Sequence, residues 1–227
     1  EKRLRWIRED PLPQFSILDH DVGFVVGGAR KADNKTDYWR ITQFMLPAHG
    51  TGPSTLPGET YFGFTLVPIT DHLTWCYVYA WNPCRPIDNK ERKKFRQGYG
   101  IIAEIDSKYG LIKNPRNDFL IDRHHQKHAS FTGIKGLAEQ DAMIQQSQGS
   151  IADRTKEILT ASDAAVIRFR RVMIREAKAL QENNQEPKAP SLHKAYRTRP
   201  GSWITQQGKN FEDVLLERFG NNRGLIK

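Results

Sequence analysis

From Trp75 to Trp81 every second residue is a large aromatic: Trp75, Tyr77, Tyr79 and Trp81, with Cys76, Val78 and Ala80 between them. A period of two belongs to extended backbone, whose side chains alternate between faces, and a helix does not gather such a set on one side. Because the alternation is in size rather than polarity, both sides of this strand are expected to be at least partly covered. Earlier segments share the extended character. Residues 15–18 and 22–29 lead through the turn chemistry of Ala32-Asp33-Asn34-Lys35 to residues 38–46. After a Gly/Pro/Thr-rich break at 47–58, residues 61–69 and 73–81 form a second hairpin around Thr70-Asp71-His72. Strand runs separated by turn residues predict an antiparallel sheet.

Helical patterns dominate after Asp88. Residues 89–98 read as a short polar helix, and residues 108–130 as mostly loop, with an Asn114-Pro115 turn and a His-rich patch. Residues 139–148 form a helix stopped by Gly149, and residues 153–159 a shorter one. Ser162 offers an N-cap to a long helix over residues 162–180. Val166, Phe169, Met173, Ala177 and Leu180 share its apolar face, while Arg168, Arg171, Arg175 and Lys178 lie elsewhere. That face is expected across the open face of the sheet, with Met173 buried. The expected fold is therefore α+β, an antiparallel sheet packed by a long C-terminal helix in the helix-grip manner. Residues 1–182 make this domain, and residues 183–227 a polar, proline-broken tail with an amphipathic helix at 211–219.

No run of about eighteen apolar residues is present, so no membrane-spanning helix is expected. The charged start, EKRLRWIRED, lacks the apolar centre of a signal peptide. A cytoplasmic protein is the expectation. Beginning at Glu1 without a methionine, the chain reads as a portion of a longer protein. The net charge of +9 raises nucleic acid as a partner, but the cations are dispersed. The densest run, Lys90-Glu91-Arg92-Lys93-Lys94-Phe95-Arg96, holds an acid, and a second cluster spans residues 187–200. Both read as solvated surface, so neither nucleic acid nor a membrane is expected as a partner. Cys76 and Cys84 fit ordinary reduced thiols, since two cysteines so placed form neither a disulfide framework nor a CxxC site.

The richest stretch for chemistry is residues 130–171. It carries Phe131-Thr132-Gly133-Ile134, then Gln140-Asp141, Ser147-Gln148-Gly149, Asp153-Arg154-Thr155, Ser162-Asp163 and Arg170-Arg171. In order and spacing these landmarks closely resemble the C-terminal catalytic region of Rieske-type aromatic-ring-hydroxylating oxygenases of the phthalate dioxygenase kind. The resemblance implies the helix-grip (START/Bet v1-like) fold and makes Asp141 the carboxylate ligand of a mononuclear non-haem Fe(II). Two histidines and one carboxylate on one face of such an iron leave positions open for oxygen. The family's histidines lie in an Asp-x2-His-x4-His motif. Here Asp122 and His125 match its first half, but Ser130 stands where the second histidine belongs. The histidine pair is thus expected upstream of Glu1. His124, His125 and His128 read as loop or surface residues, and His20, His49, His72 and His193 are scattered. A Rieske [2Fe-2S] cluster needs two cysteines and two histidines; it too is expected on the missing N-terminal portion.

The resemblance implies an oxidoreductase, a dioxygenase or monooxygenase that hydroxylates an aromatic, acidic ring with O2 and electrons from an NAD(P)H-dependent reductase. It also implies assembly as a homotrimer or a multiple of it, and no activity for this chain alone. Arg30, at the end of the run Gly23-Phe24-Val25-Val26-Gly27-Gly28, is the candidate for binding an acidic substrate, since a guanidinium grips a carboxylate with two bonds. The competing reading is a non-catalytic helix-grip module that holds a small hydrophobic ligand.

Overall fold

The computed structural model describes residues 2–53, 60–96 and 102–220. In chain order these form α1 (Lys2–Glu9), β1 (Gln14–His20), β2 (Gly23–Lys31), β3 (Thr36–Met45), β4 (His49–Gly52), β5 (Tyr61–Thr70) and β6 (Leu73–Trp81). Then come α2 (Asn89–Arg96), α3 (Arg123–His128), α4 (Leu137–Ser147), α5 (Ala164–Asn183), β7 (Gly201–Gln206) and α6 (Phe211–Phe219), with short 3₁₀ turns among them. The strands make an antiparallel sheet in the order β1-β2-β3-β4-β5-β6, with β7 also on β3. The chain divides into two compact units, one of residues up to 66 with those from 158 on, the other of residues 67–157.

In the first unit β2 lies between β1 and β3, in register Leu18↔Val25 and Val25↔Gln43. The β2–β3 turn is held by Ala32 N donating to Thr36 O at 2.9 Å and Lys35 N to Asp33 Oδ1 at 2.8 Å. A residue with a Cβ at position 23 would meet Phe44 O at 2.0 Å, so only glycine lets β2 start this close to β3. Successive β2 residues serve opposite faces. Val22, Phe24 and Val26 pack with Val172 of α5, while Val25 packs with Trp39, Ile41 and the α6 residues Phe211, Val214 and Leu215. Burial on both faces explains the unbroken apolar run Phe24-Val25-Val26.

The α+β sheet with a long helix across it matches the expectation, but the helix is turned. Val172 is the buried residue of α5; Met173 is only half-buried against the same cluster, and Val166 and Leu180 are exposed. The docking face is set by partners on the sheet: Phe169 meets Phe44 edge-on at 4.9 Å, and Arg168 grips Asp19 of β1, Nε to Oδ1 at 3.0 Å. Nor is Ser162 the cap. A 3₁₀ turn at Ala161–Asp163 precedes α5, and Thr160 with Asp163 forms its capping box.

Two strands were not anticipated. β4 is His-Gly-Thr-Gly, with no apolar run, because the space a Cβ would need at Gly50 and Gly52 is taken by the rings of Phe64 and Phe62. β7 pairs with β3 from Thr36↔Gln206 to Ile41↔Gly201. Behind it the amphipathic piece at 211–219 is α6, capped by Asn210, whose Oδ1 accepts Asp213 N at 2.9 Å. α6 covers the sheet face opposite α5.

In the second unit β6 follows the far half of β5. α2 begins with a reciprocal cap in which Glu91 N donates to Asp88 Oδ1 at 2.8 Å. The polar helix expected at 89–98 is this α2; its last residues lie outside the described ones. The region expected as loop contains a 3₁₀ turn at Pro115–Leu120 and the short helix α3, so the His-rich patch is helical.

Candidate functional site

Asp141 sits in the second turn of α4. Gly136 precedes this helix at φ 99°, a conformation that only glycine adopts without strain. The first turn is fastened from both sides. Gln140 Nε2 donates to Ile134 O at 3.0 Å, tying the helix to the Phe131-Thr132-Gly133-Ile134 landmark. Glu139 Oε1 accepts Glu104 N at 3.2 Å. The landmark is itself knitted: Thr132 Oγ1 accepts Ile134 N at 3.2 Å, and Gly133 O accepts Asp122 N at 3.1 Å. Gly133, at φ 66°, has no room for a Cβ, which would meet Asp122 O at 2.5 Å.

The buried acid of α4 is Glu139, not Asp141. Glu139 is 4% exposed, and its Oε2 has no hydrogen-bond partner among the described residues. The sequence did not single it out, because an acid in the first turn of a helix ordinarily only complements the dipole. Asp141 is exposed, and its carboxylate is uncommitted among the described residues. Such an anionic group fits one arm of a facial iron site. The remaining arms are not assembled around it: among the described residues no three His, Cys, Asp or Glu side chains lie close enough to hold an ion.

Before α4 the backbone takes an unusual course. Asp118, Phe119 and Leu120 have φ of 49°, 54° and 48°. Left-handed conformation costs a non-glycine residue about 1–2 kcal/mol. Burial of Phe119 and the Arg123–Asp118 ion pair at 2.5 Å offset part of that. Immediately after, Asp122 caps α3 by accepting His125 N at 2.8 Å. His124 and His128 stand side by side on α3, with ring centroids 4.6 Å apart.

The remaining histidines are dispersed. His49 Nδ1 lies 2.8 Å from Thr65 Oγ1. Burial pushes the His20 imidazole below its ordinary pKa, against the upward pull of Gln43, the Phe24 backbone, Asp21 and Asp19. Cys76 and Cys84 are free and exposed. Arg30 is already engaged, its Nε donating to Asp10 O at 3.0 Å while Lys31 N donates to the Asp10 carboxylate at 2.9 Å. Burial, helped by Arg40, draws the Arg30 pKa downward. No helix among the described residues is long and apolar enough to cross a membrane.

The family described as LigXa C-terminal domain like matches residues 4–195. The chain is 35% identical over 183 residues to the phthalate 4,5-dioxygenase oxygenase subunit of Pseudomonas putida, covering 78% of this chain and 41% of that one. It is 24% identical over 228 residues to the 3-chlorobenzoate-3,4-dioxygenase oxygenase subunit of Comamonas testosteroni, covering 95% and 52%. It thus spans about half the length of the curated relatives it matches. With a family match that runs from α1 through the Asp141 helix and α5, the chain belongs to the LigXa C-terminal domain-like family.

Proposed function

We propose that this chain is the catalytic-domain part of a cytoplasmic Rieske non-haem iron oxygenase that hydroxylates an acidic aromatic ring. The observation that carries the reading is α4 itself: Asp141 is uncommitted among the described residues, while its neighbours Glu139 and Gln140 are fastened to Glu104 and Ile134. A carboxylate free at its tip but on a turn fixed at its base suits a metal ligand, which must be directed without being neutralised. Mononuclear Fe(II), when bound, supplies the activation of O2. Asp141 would hold that ion through its carboxylate, adding negative charge beside two histidines from the part of the protein upstream of Glu1. The [2Fe-2S] cluster belongs to that same upstream part, and an NAD(P)H-dependent reductase supplies electrons to a homotrimer or a multiple of it. Arg30 is proposed as the anchor for the acidic substrate, through guanidinium nitrogens other than the Nε bound to Asp10.

The test is made on the full polypeptide encoded by the gene. Asp141→Ala is expected to lower iron content and reduce turnover by at least about a thousandfold, since a lost metal ligand removes the chemistry rather than a fraction of it. Circular dichroism should stay unchanged, because an exposed side chain is removed. In the same assays Arg30→Gln should raise KM for a ring acid and leave iron content alone. A variant at position 141 that keeps its iron and its activity would defeat the assignment. A full-length protein that binds no iron, but takes up a small apolar ligand, would favour a non-catalytic binding module.

A further inference from the structure

We propose that His124 and His128 on α3 form a bidentate surface site for a divalent transition-metal ion of the Cu2+, Ni2+ or Zn2+ class, distinct from the iron assigned to Asp141. The two residues are four apart on one helix, the spacing that brings side chains over one another. Their ring centroids are 4.6 Å apart, with planes inclined at 41°. With metal–nitrogen bonds of about 2.0–2.1 Å, two imidazoles at the right angle of a square-planar or tetragonal Cu2+ or Ni2+ ion place their ring centres about 4.5 Å apart. The ring separation in the protein is close to that value.

The helix that carries the pair is secured at both ends. Asp122 accepts His125 N, Gln126 N donates to Asp122 O at 2.8 Å, and Ala129 N and Ser130 N both donate to His125 O, at 2.8 and 2.9 Å. Gln126 Nε2 donates to Phe131 O at 3.2 Å, and the guanidinium of Arg123 is drawn away by Asp118 and Gln126. Both histidines are exposed, which leaves the outward positions of a bound ion to water. The donor set also selects the metal. Among the described residues no third His, Cys, Asp or Glu joins the pair. Mg2+ and Ca2+, which require several oxygens, therefore find nothing to hold them. Imidazole nitrogen suits copper, nickel and zinc, with copper held most tightly. An ion bridging successive turns would also lock a helix too short to be stable alone.

The test is calorimetric titration of the untagged chain with Ni2+, Cu2+ and Mg2+ salts, supported by electron paramagnetic resonance of the Cu2+ form. One Cu2+ or Ni2+ should bind α3, with Cu2+ tighter and no heat from Mg2+. The resonance should show two nitrogens on the copper, and one in either single variant. Because the second metal–ligand bond is intramolecular, His124→Ala and His128→Ala should each weaken binding at least about tenfold. His125→Ala and Asp141→Ala should change it less than about twofold, which separates this site from the iron assignment. Unchanged affinity in either His124→Ala or His128→Ala overturns the proposal, as does an equal loss in His125→Ala or in Asp141→Ala. His124, His128 and Asp141 are exposed and His125 is half-buried, and unchanged circular dichroism confirms that each variant is folded.

Discussion

Gly27 and Phe211 compete for one volume. A Cβ on Gly27 would lie 2.2 Å from the Phe211 ring, which stacks on Trp39 at 5.3 Å and 13°. Gly27→Ala should therefore destabilise the protein by about 1–3 kcal/mol, the usual cost of overpacking a filled core. Combining it with Phe211→Leu should recover part of that loss. Urea denaturation of both single variants and the double variant measures the coupling, and strictly additive losses would show that the ring does not fill the space above Gly27. His20 makes a second residue-scale prediction. Its folded pKa is lowered, chiefly by burial, so the native state favours the neutral ring. Its contribution to stability is complete above the unfolded pKa of about 6.5 and is lost as pH falls toward the lowered folded value, where the unfolded chain takes up a proton that the native one resists. Thermal melts between pH 5 and 8 should show this slope, and His20→Gln should flatten it. A variant with the same slope would place the titration on another group.

At the scale of elements, α5 shows how far a helix can rotate from its sequence-based face while remaining where it was expected. The large residues Val166, Phe169, Met173 and Leu180 mark one side, yet the contact with the sheet runs through Ala165, Phe169, Val172 and Met173. The physical cause is that α5 settles onto the ridge offered by Phe24 and Phe44, and that ridge is not encoded in the helix. Val172→Asp should cost at least about 3 kcal/mol, because a buried carboxylate without a partner must be desolvated or protonated. Val166→Asp should stay within about 0.5 kcal/mol, as surface substitutions usually do. Chemical denaturation of the two variants separates the faces, and similar losses at both positions would contradict the observed rotation. α3 carries the complementary lesson. The four-residue spacing of His124 and His128 is plain in the sequence, but it acquires meaning only once those residues are helical. Six residues beginning with Arg-His-His carry no apolar period by which a helix could be read.

The whole molecule belongs to the LigXa C-terminal domain-like family, and the curated relatives it matches are about twice its length. Its two cysteines are free and exposed, and no trio of metal-binding side chains is assembled among the described residues. Under the proposed function, which assigns the iron's histidines and the [2Fe-2S] cluster to the part upstream of Glu1, the chain alone, given a reductase, NADH and a candidate ring acid, is expected to consume no O2 above the reductase background. Oxygen-electrode traces with and without the chain test this, and product formation by the isolated chain would place the full donor set on it. The basic balance of the molecule, +9 overall, includes a run of exposed cations on α2, Lys90, Arg92, Lys93, Lys94 and Arg96.

What could be read without coordinates was whatever depends on near neighbours in the chain. The alternation from Trp75 to Trp81 and the turn at 32–35 announce strands and a hairpin, because side-chain direction in extended backbone repeats every two residues. Phe211–Phe219 could be identified as a helix from its own period, and the landmarks from Phe131 to Arg171 pointed to the family from their order alone. Only the tertiary structure decided matters settled between distant segments. Phe62 and Phe64 make a strand of the glycine-rich β4, and β3 makes one of Gly201–Gln206. Phe44 sets the rotation of α5, and Gly27 seats Phe211, so that α6 closes the second face of the sheet. Within α4, two acids two residues apart have opposite surroundings, Glu139 buried and Asp141 exposed. Periodicity is a property of the local backbone, whereas burial is a property of what packs against it, and that partner lies elsewhere in the chain.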